Sequence, residues 1–362
     1  MHIGYLDRTS LNNKILFFTF LREGLCLPEN HLPQELSENE IGQLFMVAEE
    51  QTVSGLIVDA ILRNNIKIPQ NWVFKAVGIE THIKQINHEL NDNLKNLVNL
   101  PLKGYVVVKG QTIAAFYPNP LIRMSGDIDF LVYNYPEAKE LLEKEWRVEL
   151  PFKLIDREYA FEHSGATYEI HDQLLVFGCR RHQQIWNELM KCPSDYVNIE
   201  GRQIPTLAPT INSIYVFVHL FFHFVREGVS LRQFCDWAMV LHHCNNEINR
   251  AELEQALLQL DMVKAYKAMG CILVDDLGLP VANFPFKLDD TDRKWHGKIL
   301  DDIFVGGNFG KLRHQAKNSW KYKLETIRIS FRNCLRYFWL CPTEVGGMIP
   351  KLVKVNIKVL FK

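Results

Sequence analysis

The sequence predicts an α+β protein in which a small mixed β-sheet sits between two helical regions. Three observations carry that expectation. Residues 10 to 99 hold long amphipathic patterns with helical spacing. Residues 103 to 175 change to short apolar runs rich in Val, Ile, Tyr and Phe. From Pro209 onward the helical pattern returns. The expected division is a helical region over 1–100, an α/β core over 101–208 and a second helical region over 209–362.

Taken in order, Asn12 to Cys26 reads as a first helix. Ser37-Glu-Asn-Glu has the spacing of a capping box and opens a helix expected to run to about Arg63. A third runs from Trp72 to Val98, after Ile68-Pro69. Strands are expected at 105–109, 127–133, 158–163 and 166–172, with a helix near 136–146. Further helices are expected near 210–227, 230–244, 250–258, 261–277, 291–304 and 317–340, with a last amphipathic segment at 348–361. Neither an internal repeat nor a low-complexity stretch interrupts the chain.

Composition narrows the class. The chain has 362 residues, 47% hydrophobic and 23% charged, ordinary for a globular protein. The net charge of −1 hides an asymmetry: from Lys311 to Lys362 there are twelve Lys/Arg against two acids, +10 there and −11 on the rest. A basic end on an acidic body points to an anionic contact. The eight cysteines are scattered without a Cys-x-x-Cys pair, which suits reduced thiols in a cytoplasmic protein. The apolar run Ile15 to Leu21 is short and lacks a small-residue cleavage site, so it does not read as a signal peptide. No stretch reaches the roughly 20 apolar residues of a spanning helix.

Chemistry concentrates in Lys103 to Asn134. An apolar run, Tyr105 to Val108, meets Lys109-Gly110, and Asp127-Ile128-Asp129 opens a second run. Side chains alternate along a strand, so Asp127 and Asp129 share a face while Ile128 points to the core. Two carboxylates held side by side repel unless a cation lies between them. Oxygen ligands at a strand end suit Mg²⁺, whose shell is completed by water and substrate phosphates. A two-metal site needs a third acid, and Glu169 in the alternating run Ala166 to Asp172 is the candidate, with His171 on its face and Tyr168 and Ile170 opposite. Lys109 and Gly110, at a strand-to-helix turn, would offer backbone N–H groups and a cation to phosphate oxygens, and Arg123 a second clamp.

As a set, Lys109-Gly110, Tyr117-Pro-Asn-Pro-Leu-Ile-Arg123, Gly126-Asp-Ile-Asp129 and Tyr168-Glu-Ile-His171 resemble the bacterial uncharacterised nucleotidyltransferases of the DNA polymerase β superfamily. The runs His219-Leu-Phe-Phe-His223 and Leu231-Arg-Gln-Phe-Cys-Asp236 are similar to that family's helical half. The resemblance implies a mixed sheet with Asp127 and Asp129 as metal ligands and Glu169 as the third acid. The superfamily carries Gly-Ser at the phosphate turn, whereas here Gly110 is followed by Gln111.

The function expected is Mg²⁺- or Mn²⁺-dependent transfer of a nucleoside monophosphate from an NTP, with release of pyrophosphate. Lys109, Gly110, Gln111 and Arg123 form the phosphate side. His171, Arg232 and Asp236 stand beside the site or toward the acceptor, which is a small molecule, protein or glycan. The alternative is a nucleotide-binding scaffold without turnover. A nucleic-acid acceptor is disfavoured because no basic face surrounds the strand region. His219 and His223, one turn apart among phenylalanines, read as packing, and Arg232 with Asp236 as an i, i+4 ion pair. Asp275-Asp276, Asp289-Asp290 and Asp301-Asp302 read as caps and surface. Lys351, Lys354, Lys358 and Lys362 make a basic stripe on an apolar segment, read as a packed final helix or as a peripheral contact with an anionic membrane.

Overall fold

Residues 11–28, 31–155, 157–191, 194–313 and 319–350 are described by the computed structural model of the chain. The N-terminal region contains α1 (Leu11–Gly24), α2 (Glu38–Glu50), α3 (Ser54–Arg63) and α4 (Gln70–Asn99). The capping box forms as its spacing implies: Ser37 N–H donates to the Glu40 carboxylate at 2.8 Å, and Glu40 N–H donates to Ser37 Oγ at 3.4 Å.

The helix expected from 37 to 63 is two helices. The chain turns at Thr52, whose φ is 53°, and Val53 N–H donates to Ala48 O at 2.9 Å. The break frees Gln51, which is fully buried; its amide donates to Ile303 O at 3.3 Å and accepts from Leu231 N–H at 3.1 Å. A continuous helix would leave those two backbone groups without these partners inside the core. The interruption therefore ties the N-terminal helices to the C-terminal ones.

Four strands form the main sheet: β1 (Tyr105–Val108), β2 (Asp127–Val132), β3 (Glu158–His163) and β4 (Ala166–His171), in the order β1-β2-β4-β3. β1/β2 and β3/β4 are antiparallel, while β2/β4 is parallel. A parallel pair cannot be joined by a tight turn, and the crossover here carries α6 (Tyr135–Trp146) and β3. Ile128, Phe130 and Val132 of β2 and Tyr168 and Ile170 of β4 fill one apolar cluster with α4 and α6. The opposite face places Val106, Val108 and Leu131 in the larger core shared with the helical regions, and carries Asp127, Asp129, Glu169 and His171. Between β1 and β2 lie α5 (Gly110–Ala114) and a 3₁₀ turn at Pro120–Ile122. That turn presses on α3, where a side chain at Gly55 would meet Ile122 O at 2.0 Å.

Two features lie outside the expected element list: α7 (Arg180–Leu189), and a hairpin of β5 (Asp195–Ile199) and β6 (Arg202–Thr206). The hairpin docks through Thr206 Oγ1, which donates to Val107 O at 2.8 Å.

The C-terminal region contains α8 (Pro209–Arg226), α9 (Leu231–His243), α10 (Arg250–Gln259), α11 (Val263–Cys271), α12 (Asp290–Arg293), α13 (His296–Gly306) and α14 (Ser319–Tyr337). Residues 342–350 form α15. Fully buried Glu344 ties α15 to the start of α7: its carboxylate accepts from Gly178 N–H, from Cys179 N–H at 3.1 Å and from His182 Nδ1 at 2.9 Å. The backbones touch there as well, since a side chain at Gly178 would lie 2.5 Å from Gly347 C.

Of the adjacent acid pairs, Asp289 caps α12, but Asp302 departs from the expected surface role. It is buried and binds Arg336 at 2.8 Å together with the Tyr337 hydroxyl. The described cysteines are free thiols. Among the described residues no helix is long and apolar enough to cross a membrane. The basic stripe from Lys351 to Lys362 lies outside the described residues.

Candidate active site

Strand alternation and the parallel register assemble the site. Asp129 of β2 lies directly beside Glu169 of β4, and Asp127 lies beside Thr167. Since both strands alternate with period two, Asp127, Asp129, Glu169 and His171 all face α8. They line a cleft of about 660 Å³ with Lys109, Gly110, Arg123, Tyr215, His219, His223, Arg226, Arg232 and Asp236.

Asp129 is the most enclosed of the acids, at 3% exposure. Its Oδ1 accepts from Lys109 Nζ at 3.0 Å and from His171 Nε2 at 3.1 Å. Burial opposes ionisation of Asp129, but the Lys109 ammonium and then His171 outweigh it and hold its carboxyl far below the usual carboxylate range. Glu169 behaves in the opposite way. Burial first, then the neighbouring Asp129 charge, push it up to about 8. Asp127 is raised too, by burial and then by Asp129. Crowded, partly buried like charges thus favour ionisation of Asp129 and oppose that of Asp127 and Glu169.

The residues that converge most tightly are Asp129, Glu169 and His171, each offering a ligand atom within 4.8 Å of the others. Asp127 is not in that trio; it lies two residues ahead on the same face, without a side-chain partner among the described residues.

Lys109 has an unusual backbone, with φ at 54°, followed by Gly110 at 41°. That left-handed turn swings the chain from β1 into α5 and aims the lysine across the sheet. Beyond Asp129, Lys109 Nζ lies 3.4 Å from His219 Nε2, which also faces His223 Nε2 at 3.2 Å. Burial and then the Lys109 charge push His219 well below the ordinary imidazole range, so it is neutral and accepts from Lys109. The histidines read as packing therefore line the cleft.

Three expected placements turn out differently. Arg123 is not free to clamp a phosphate: Nε and Nη2 bind the two Asp236 oxygens at 2.7 and 2.8 Å, and Nη1 donates to Ser125 Oγ at 2.8 Å. Asp236 therefore does not form the expected intrahelical pair with Arg232. Its second contact is Tyr117, whose hydroxyl donates at 2.7 Å. Gln111 turns away from the cleft, its amide nitrogen donating to Asn87 Oδ1 at 2.9 Å and Asn91 Oδ1 at 3.3 Å on α4. Arg232 is left in the cleft wall with no ion-pair partner among the described residues, and burial with the nearby Arg123 charge disfavours its protonated form. An underneutralised guanidinium facing a cleft is a ready anion site.

Residues 37–274 match the model of a family described as uncharacterised nucleotidyltransferase. A search of curated proteins found none that matches. Among solved structures, the chain is similar to an antigenic nucleotidyltransferase-like protein from Paracoccidioides brasiliensis. The identity is 15%, covering 55% of this chain and 93% of that one, with a TM-score of 0.28.

Proposed function

The chain belongs to the uncharacterised nucleotidyltransferase family, and from that premise we propose that it transfers a nucleoside monophosphate from an NTP to an acceptor hydroxyl or amine, releasing pyrophosphate. The observation that carries the proposal is the pairing of Asp129 with Glu169 across β2 and β4, inside a cleft also lined by Lys109 and Arg232.

The donor set fits a divalent cation, Mg²⁺ or Mn²⁺: acidic oxygens converge on one face of the sheet, and burial and the Asp129 charge make the ionised forms of Asp127 and Glu169 unfavourable without a counter-charge. Asp127, Asp129 and Glu169 would hold the metal. When bound, it would neutralise phosphate charge and orient the reacting oxygens.

The rest of the work falls to this chain's own residues. Lys109 holds Asp129 ionised and reaches the phosphate side of the cleft. Arg232, rather than Arg123, meets the departing pyrophosphate. Arg123 instead fixes α9 to the segment entering β2 through Asp236 and Ser125. Glu169, in its ionised form, orients the acceptor and takes its proton as it attacks. Positioning and charge neutralisation then lower the barrier, with little covalent work for the protein.

Pyrophosphate release, assayed with each NTP and with Mg²⁺ or Mn²⁺, tests the proposal. Turnover abolished by Asp127→Asn supports it. A second reading is a nucleotide-binding scaffold, favoured by Gln111, which stands where the superfamily carries serine and turns inward to α4. NTP binding without pyrophosphate release would support that one.

A further inference from the structure

We propose that His171 is itself a metal ligand, so that the site takes a first-row transition-metal ion in preference to Mg²⁺. The inference rests on the metal-dependent reading above and deepens it, naming the cation class and a nitrogen donor outside the Asp-x-Asp pattern.

Three observations converge on the imidazole. His171 Nε2 lies 3.1 Å from Asp129 Oδ1 and 3.9 Å from Glu169 Oε1. Ligands on a common ion at about 2.1 Å lie roughly 3–4 Å apart, so these spacings match donors to one cation. Second, the other ring nitrogen, Nδ1, lies 3.7 Å from Glu158 Oε2, on the residue directly across the β3/β4 pair. A carboxylate behind a metal-bound imidazole fixes the ring and receives its remaining N–H. Third, His171 is 4% exposed on a strand paired on both sides, so its orientation is set by the sheet.

Without metal, Nε2 carries the proton it shares with Asp129. On binding, that nitrogen donates its lone pair, and Nδ1 carries the N–H toward Glu158. Mg²⁺ demands oxygen ligands and gives up water reluctantly. Imidazole raises affinity for iron, cobalt, nickel and zinc, with Mn²⁺ lying between.

The test titrates Mn²⁺ into the metal-stripped full chain, with and without an NTP, and reads pulsed EPR for ¹⁴N coupling alongside displacement by Mg²⁺. We expect coupling from one imidazole in the wild type and a requirement for about 100-fold more Mg²⁺ than Mn²⁺ for half-displacement. In His171→Gln the coupling should vanish and the discrimination fall at least ten-fold, while His219→Gln keeps both. Mn²⁺ bound without nitrogen coupling, or coupling lost only in His219→Gln, overturns the inference and leaves the metal-dependent reading standing. Absence of any divalent binding, even with nucleotide present, overturns both. Where His171→Gln folds poorly, coupling kept in a His219→Gln, His223→Gln double variant decides the point.

Discussion

Lys109 Nζ lies 3.0 Å from Asp129 Oδ1, at the oxygen that also meets His171, so an ammonium neutralises the most enclosed acid of the cleft. That pair separates the roles of the two aspartates. Asp127 has no side-chain partner to lose among the described residues, whereas removing the Asp129 charge strands a cation between that site and His219.

Asp127→Asn should lower transfer by about 10³-fold without lowering the thermal midpoint, because burial and the Asp129 charge oppose the ionised form of Asp127. Asp129→Asn should lose activity equally and also lose stability, on the order of 3 kcal/mol, because a partly buried ion pair is broken from one side. Equal thermal midpoints for the two variants would show that the Lys109–Asp129 pair contributes nothing to the fold.

Arg123→Ala and Arg232→Ala should fail in opposite ways. The first leaves Asp236 buried and unpaired, at a cost of about 3–5 kcal/mol. The second removes a guanidinium without an ion-pair partner among the described residues, so the fold should hold. Nucleotide affinity should fall by about 1.5–3 kcal/mol, roughly ten- to a hundred-fold. Urea denaturation beside isothermal titration with an NTP measures both.

Glu169 should make stability depend on pH in an unusual direction. Its carboxyl titrates near 8 in the folded chain but near 4.5 when unfolded. Between those values the native state holds the extra proton, so stability falls as pH rises across that window. Glu169→Gln removes this dependence. In metal-free buffer its stability relative to wild type should therefore improve from pH 5 to pH 8, as denaturant midpoints would reveal.

Gly178→Ala should unseat α15, because the added carbon meets the backbone of Gly347 and Met348 rather than a flexible side chain. Met348 lines the cleft, so faster proteolysis near residues 340–350 should accompany weaker nucleotide binding.

Much of this arrangement is written locally. The alternation in Ala166 to His171 puts Glu169 and His171 on one face, and the four strands lie close to where their apolar runs lie. What the sequence conceals is longer in range. Arg123 finds Asp236 across 113 positions, and only the packing of α9 against α5 and the turn after it reveals that Arg232 loses its local partner. The break at Thr52 is hidden because apolar spacing continues through it, and the reason for it, Gln51 reaching Ile303 and Leu231, is tertiary. The phenylalanines around His219 and His223 mask their role, since a helix buried on most sides can still turn one edge to a cavity. The α7 segment and the β5/β6 hairpin lack a run of apolar residues long enough to announce them.

The direct pairing of Asp129 with Glu169 makes the sheet behave like a reading frame. Extra residues added at the β3–β4 turn, where Ser164 and Gly165 both have positive φ, would lengthen a solvent-facing tip and leave the chemistry aligned. A single residue inserted between Ile128 and Asp129, or between Tyr168 and Glu169, would rotate a carboxylate to the apolar side and bury it among Phe130 and Ile170. Insertion scanning across 125–172 should therefore give a sharp map, tolerant at the tip and inactive for insertions before Asp129 in β2 or before Glu169 in β4.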